Sequence, residues 1–144
     1  MNINTRFAVA VHMLTLIAFK SDGLVSSELL AASVNTNPVV VRRLVGQLKK
    51  AGLVAVRAGV GGTSLARPAE KISLRDVYLA VKQASKTKLV NLHPNPSAEC
   101  FVGRSIHDAL AEPLARAEQE FQNSLAETSV ADIRAFIRSR KPVA

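Results

Sequence analysis

The apolar positions of this chain keep a helical period over most of its length and lose it in one Gly-rich stretch near the middle. Ile3, Phe7, Val11 (with Ala10), Leu14 and Ala18 predict a helix over residues 3–20 with one face on a core. Asn4 or Thr5 is placed to cap it. After a Ser21-Asp22-Gly23 turn, Ser26 caps a short predicted helix over residues 27–33. Leu29, Leu30 and Ala32 form its apolar face, and Glu28 lies in its first turn, where the helix dipole favours an anion. Val34-Asn35-Thr36 has the length of the connection between the two helices of a helix-turn-helix. Asn37-Pro38 opens the next helix, over residues 39–50, and Gly52 sits where a left-handed residue ends it. Val40, Leu44 and Leu48, with Val41 and Val45 alongside, predict its buried stripe. Three consecutive valines favour a strand, but the Pro38 start, the Gly52 stop and the leucine spacing decide for helix. Residues 53–57 and 63–67 then read as a strand pair around the turn Ala58-Gly59-Val60-Gly61-Gly62.

The second half returns to helices. Pro68-Ala69-Glu70-Lys71 is a connector, and Ser73-Leu74-Arg75-Asp76 has the form of a capping box. It opens a helix to about Ala84 with Leu74, Val77, Val81 and Ala84 on one face and Tyr78 beside it. Residues 85–99 are irregular. A long helix follows over about 102–126, where Ile106, Leu110, Leu114, Ala117, Phe121 and Leu125 trace a stripe and Pro113 should introduce a kink. A lone helix with so apolar a stripe favours a partner helix, hence a homodimer. Ser129 to Asp132 starts a last short helix with Ile133, Phe136 and Ile137, and Arg138-Ser139-Arg140-Lys141 reads as a frayed basic tail.

Charge sharpens this picture. The net charge is +8, from 19 bases and 11 acids. Residues 37–67 hold Arg42, Arg43, Lys49, Lys50, Arg57 and Arg67 and no acid, whereas residues 101–144 balance six bases with six acids. A basic front and a neutral back point to a polyanion held by one part of the chain; the alternative is a solvated basic surface. A basic helix followed at once by a basic hairpin is what a winged helix-turn-helix uses to hold double-stranded DNA. On that reading Val39, Arg42 and Arg43 face base edges, Lys49 and Lys50 reach backbone, and Arg57 touches phosphate or minor groove. No apolar run reaches membrane-spanning length and no signal-peptide pattern is present, so the expected compartment is cytoplasm and no membrane partner is expected.

Several ordered stretches together resemble one family. Thr5-Arg6-Phe7-Ala8-Val9, Ser26-Ser27-Glu28-Leu29-Leu30-Ala31, Ala51-Gly52-Leu53-Val54, the Gly-rich turn between Arg57 and Leu65, Ala66-Arg67-Pro68-Ala69 and Ile72-Ser73-Leu74-Arg75-Asp76-Val77 are similar to the Rrf-two family of bacterial transcriptional regulators. Residues 34–43 resemble its cluster-free, YwnA-type branch. The resemblance covers nearly the whole chain. It implies a mainly α fold with a small β wing: a winged helix-turn-helix DNA-binding domain over 1–84, then a sensor-like loop and dimerisation helices over 85–144. By position, Arg6, Ser26, Ser27, Asn37, Val39, Arg42, Arg43, Arg57, Gly59, Gly61 and Gly62 would lie at or near DNA. Arg42 departs from a cluster-binding member of the family, which carries glutamate there, so that member's operator does not transfer.

The sensor departs further. Cluster-binding members have three cysteines in the loop before the long helix; here residues 88–101 hold only Cys100, and Gly103 stands where a histidine ligand might follow. One thiolate does not hold a cluster that wants about four ligands, so no cofactor and no metal are expected. Cys100 reads either as a redox-responsive thiol or as a small residue closing the loop onto the helix. His93, Glu99, Cys100 and His107 include zinc-ligand types in no standard spacing. His12 is expected as a satisfied core or interface histidine. Gly59-Val60-Gly61-Gly62 lacks the Lys-Ser/Thr ending of a nucleotide loop, and no nucleophile–base constellation marks an enzyme. The expected function is sequence-specific DNA binding by a homodimeric regulator, a repressor on a pseudo-palindromic operator, with an unknown effector. The alternative is a thiol-based or small-ligand sensor that uses the winged helix mainly as an interaction module.

Overall fold

Two short helices and the turn between them set the geometry of the N-terminal half. The computed structural model describes residues 3–20, 23–59, 61–85 and 88–140, leaving aside the side chains of Ile3, Asn4 and Ser85. The expected core role of Ile3, the Asn4 cap, Ser21-Asp22, Val60 and Lys141 therefore lie outside the described residues. The elements are α1 (Ile3–Phe19), β1 (Val25–Ser26), α2 (Ser27–Val34), α3 (Pro38–Lys50), β2 (Val54–Arg57), β3 (Gly62–Leu65), a 3-10 turn (Ala69–Lys71), α4 (Leu74–Ser85), α5 (Phe101–Leu125) and α6 (Val130–Ser139).

Local chemistry explains the boundaries of the helix-turn-helix. The Ser26 hydroxyl accepts from the Leu29 N–H at 3.1 Å and starts α2. Asn35 ends it in the left-handed region, at φ 63°. The Asn37 side chain then accepts from the Val39 N–H at 2.7 Å, with Pro38 preset for the first turn of α3. At the far end Gly52 adopts φ +79°. Its N–H donates to the Lys49 carbonyl at 3.0 Å, and that of Leu53 donates to the Leu48 carbonyl at 2.9 Å. This is a Schellman closure, and it folds the buried Leu53 back beside the buried Leu48.

The wing is a three-stranded antiparallel sheet in the order β1-β3-β2. Val54 pairs with Leu65 and Arg57 with Gly62. Strand β1 adds Val25 opposite Thr63 and Ser26 opposite Gly62. Two residues carry no alternation, so β1 has no signature in the sequence; the pairing itself makes it a strand. Gly62 is buried, and a Cβ there would stand 3.0 Å from Leu24 Cδ2, so the close approach beside β1 favours glycine.

The apolar core joins Ala10, Met13, Leu14 and Ile17 of α1 to Leu30 of α2, Val41, Leu44, Val45 and Leu48 of α3, and Val77 and Val81 of α4. Several predicted faces shift. On α4 the buried set is Val77, Tyr78, Ala80 and Val81, whereas Leu74 is half-buried and Ala84 exposed. On α3 the buried valines are Val41 and Val45, and Val40 is only half-buried, because the helix packs against both α2 and α4 and its buried arc is centred between them. On α2 Leu30 and Ala31 are buried, whereas Leu29 and Ala32 are exposed. On α1, packed between α4 and α6, the buried set is Ala10, Met13, Leu14 and Ile17, and His12 is exposed rather than internal.

The core also crosses residue 84. Leu74 N–H donates to the Thr128 carbonyl and Val130 N–H to the Ile72 carbonyl, both at 2.8 Å, and Val130 is fully buried. Arg134 donates to the Ala18 carbonyl at 3.0 Å and to Glu70 at 3.1 Å. Helix α6 thus packs on the winged-helix core, and the part of residues 85–144 that stands apart is the loop and the N-terminal half of α5. That helix runs unbroken through Pro113. Truncating Leu48 (Leu48→Ala) should cost about 2–5 kcal/mol, and Val40→Ala clearly less. Urea unfolding of both variants measures this; equal losses would place the buried arc of α3 elsewhere.

Candidate nucleic-acid interface

Burying Val41, Leu44, Val45 and Leu48 turns the other side of α3 outward. Val39 is 57 % exposed, and Arg42, Arg43, Gly46, Lys49 and Lys50 are all exposed. No acid lies in the first turn of α3, so its N-terminal dipole end stays open to phosphate. Lys49 and Lys50 occupy the last turn, where the dipole favours cations. Arg42 reaches Glu28 of α2 at 3.3 Å, with both side chains more than half exposed. Such a surface pair is worth about 0–1 kcal/mol. A bidentate arginine–guanine contact discriminates by about 1–3 kcal/mol, so a pair of this strength does not prevent Arg42 from exchanging its partner. Arg43 has no ion-pair partner among the described residues.

Most of the predicted residues are exposed, but they do not stand equally. Arg57, Gly59 and Gly61 are exposed at the wing, and both glycines have positive φ, +81° and +69°. Gly62 instead serves the sheet. The Asn37 side chain and the Ser26 hydroxyl are occupied as caps, and Ser27 is half-buried in the first turn of α2. Arg6 is half-buried, and its Nε is buried with no hydrogen-bond partner.

Behind this face lies a polar cluster that periodicity did not flag. Tyr78 of α4 packs edge-on between Phe7, at 6.3 Å between ring centroids, and Phe121, at 5.1 Å. Its hydroxyl donates to Glu118 of α5 at 2.9 Å, and the Lys82 ammonium donates to the same carboxylate oxygen. Burial, with Glu118 beside it, pushes the Tyr78 pKa up to about 12, so it remains a donor. Burial raises the Glu118 carboxyl, but hydrogen bonds from Lys82 and Tyr78, the Lys82 charge and the Leu89 amide outweigh it and hold its pKa below the ordinary range. The stability this contributes is present above the unfolded carboxylate pKa and is lost as pH falls through the folded one. Two signals were available in the sequence: Tyr78 and Lys82 lie four apart on one helix, and Glu118 falls on the apolar stripe of α5, four residues after Leu114 and three before Phe121.

The dimer stripe divides. Phe121 and Leu125 pack against the chain's own core, Ile106, Leu110 and Leu114 are half-buried, and Ala117 is exposed. At the start of α5, Cys100 is the N-cap residue and is exposed. The backbone N–H groups of Gly103 and Val102 lower its thiol pKa. His107 donates from Nε2 to the His93 carbonyl at 2.9 Å, and the two rings meet edge to face. A Cβ on Gly103 would collide with the Ser97 carbonyl oxygen.

A helix-turn-helix whose second helix has an acid-free outer face, followed by a glycine-tipped wing, is the architecture of a DNA-binding regulator. The Rrf2 family, described as iron-dependent transcriptional regulators, matches residues 3–135, and the chain belongs to it. It is 46 % identical over 131 residues to YwnA of Bacillus subtilis (strain 168), provisionally named an HTH-type transcriptional regulator; the match covers 91 % of this chain and 96 % of that protein. A crystal structure with a provisional DNA-binding description is 42 % identical, with TM-score 0.70 over 89 % of this chain and 97 % of that one. The oxidised form of CymR from Staphylococcus aureus shares the fold at 22 % identity, TM-score 0.66, over 93 % of this chain and 96 % of that one. The protein is a transcriptional regulator and not an enzyme. No helix among the described residues is long and apolar enough to cross a membrane.

The iron–sulfur group implied by cluster-binding members of the family does not fit the residues present. Cys100 is the single cysteine, the His107 nitrogen is engaged by a carbonyl, and position 103 has no room for a ligating side chain. No group of three or more His, Cys, Asp or Glu among the described residues is disposed around a metal. Because its pKa is lowered, Cys100 should be alkylated by iodoacetamide with a pH midpoint below the ordinary 9.0. A midpoint at or above that value would mean the first-turn amides do not reach the sulfur.

Proposed function

We propose that the protein represses transcription in the cytoplasm as a homodimer that reads a pseudo-palindromic operator through α3 and holds its backbone through the wing. The observation that carries this reading is the outer face of α3: Val39, Arg42 and Arg43 exposed together, opposite a fully apolar inner face. Arginine is the commonest reader of guanine, through O6 and N7, and Val39 suits a thymine methyl. Lys49 and Lys50, further along the helix, serve phosphates. The exposed thiol of Cys100, at the N-terminal end of α5, supports a second reading, in which oxidation of that thiol sets the state of the α5 loop and the winged helix serves mainly to bind other molecules. Tight duplex binding selective for sequence distinguishes the first from the second, which calls only for weak, salt-sensitive binding.

The contacts separate by mutation. Arg42→Ala or Arg43→Ala should cost about 1–3 kcal/mol on the operator and relax preference at one base pair per half-site. Lys50→Ala should weaken all sequences alike, and Arg57→Ala should also flatten the salt slope by about one unit. Binding each variant to operators mutated one pair at a time decides: an unchanged ranking in both arginine variants would remove base readout from this face.

The dimer follows from the apolar stripe left on α5 after Phe121 and Leu125 have been used within the chain. Ile106, Leu110, Leu114 and Ala117 suit an isologous contact with a second copy. Sedimentation equilibrium at micromolar concentration should give twice the chain mass, and Leu110→Asp should halve it while the helical circular-dichroism signal persists. A monomeric wild type would refute the assignment.

A further inference from the structure

On the side of the molecule formed by α1 and α6, the two helices leave a cleft of about 470 Å³ that the DNA reading does not use. Its walls are mostly apolar: Val11, Leu16 and Phe19 from α1, Ile133 and Ile137 from α6. That volume lies within the range of about 300–1,000 Å³ typical of small-molecule sites. We propose that this cleft binds a small apolar molecule carrying one carboxylate, and that occupancy tunes the helix-turn-helix.

The polar groups choose the ligand. Of the three polar side chains on the walls, Thr15 spends its hydroxyl on the Val11 carbonyl at 2.7 Å. The other two, His12 and Ser33, meet at 2.8 Å, Nε2 to Oγ, with capacity left for one more partner. No acid lines the cleft. The guanidinium of Arg138 lies 5.5 Å from the ring centroid of Phe19, a wall residue, and so supplies positive charge at the edge. The nearest acids in sequence on the flanking helices are occupied: Asp132 in the cap of α6 and Glu28 with Arg42. An apolar floor with two hydrogen-bonding groups and an unopposed cation suits an anion with a hydrophobic body.

Position makes the site regulatory. Ser33 belongs to α2, two residues before the left-handed Asn35 that aims α3. A ligand touching His12, Ser33 and Ile137 at once would favour one disposition of α2 against α1 and α6, and so of α3. This consequence rests on the DNA-binding reading above; the ligand site does not.

Titration calorimetry on the full chain, with phenylbutyrate and naphthoate as probes and their neutral amides as controls, tests the site. Both acids should bind saturably and the amides about tenfold more weakly. His12→Leu and Arg138→Gln should each weaken the acids about tenfold, and Arg138→Gln, on an exposed side chain, should leave the unfolding temperature of the free protein unchanged. No saturable binding of either acid overturns the proposal. So does equal binding of acid and amide, affinity unchanged in both variants, or loss of the dimer on adding acid, which would assign the cleft to a second copy. Operator affinity should change severalfold when the acid is present; unchanged affinity overturns the regulatory half. Acid binding by a protein that binds no duplex leaves the site standing and overturns the proposed function.

Discussion

Tyr78 is the side chain on which the two halves of this molecule depend. The chain has five Phe, one Tyr and no Trp, and three of those six rings meet in one stack, Phe7–Tyr78–Phe121. The stack joins α1, α4 and α5 by edge-to-face contact, which adds about 0.5–1.5 kcal/mol per pair beyond area burial. The Tyr78 hydroxyl then fixes Glu118, which also takes Lys82 and the Leu89 amide. A helix of the DNA-binding core, the long helix and the start of the loop are therefore held by one carboxylate. Removing any donor leaves a partly buried charge short of a partner, and that penalty is larger than the worth of the bond itself. The arrangement explains why the C-terminal third of the α5 stripe is spent inside the chain while the rest remains available.

The organisation of the DNA-binding half was legible because it is written in local chemistry. Asn37-Pro38 and Gly52 outweighed three valines in a row, and α3 spans Pro38–Lys50 as its caps require. The Ser73–Asp76 box closes with both of its hydrogen bonds, at 2.9 and 3.0 Å. What periodicity could not supply was direction where a helix has more than one neighbour. The α3 stripe is centred on Val41 and Val45 because α2 and α4 both press on it. On α1, apolar residues occur on nearly every side, so spacing alone could not turn His12 to the cleft.

The candidate site was legible to the same degree. Charge counting singled out the segment whose bases are exposed in the structure, but it could not see that Arg42 is paired with Glu28, that Gly62 is buried under Leu24, or that Ser26 and Asn37 are occupied as caps. The loop before α5 shows the opposite case. That the loop brings a single cysteine was plain in the sequence, while the reason for Gly103 was not: the Ser97 backbone lies against it, so the loop is packed onto the helix where a side chain would otherwise project.

The starts of α4 and α6 lie side by side. Each carries a Ser–Asp capping box, and an antiparallel bridge between Ser73 and Ser129 joins them. The chain therefore leaves the core and returns to it at neighbouring points, and α5 with its loop is a handle fixed at both ends. A handle of that kind cannot slide along its own axis without breaking the weld at its base. A displacement of α5 would therefore act on the DNA-binding half through the roots of α4 and α6. These are the two helices packed most closely against α1, so the first element to feel it is the central helix of the core rather than α3.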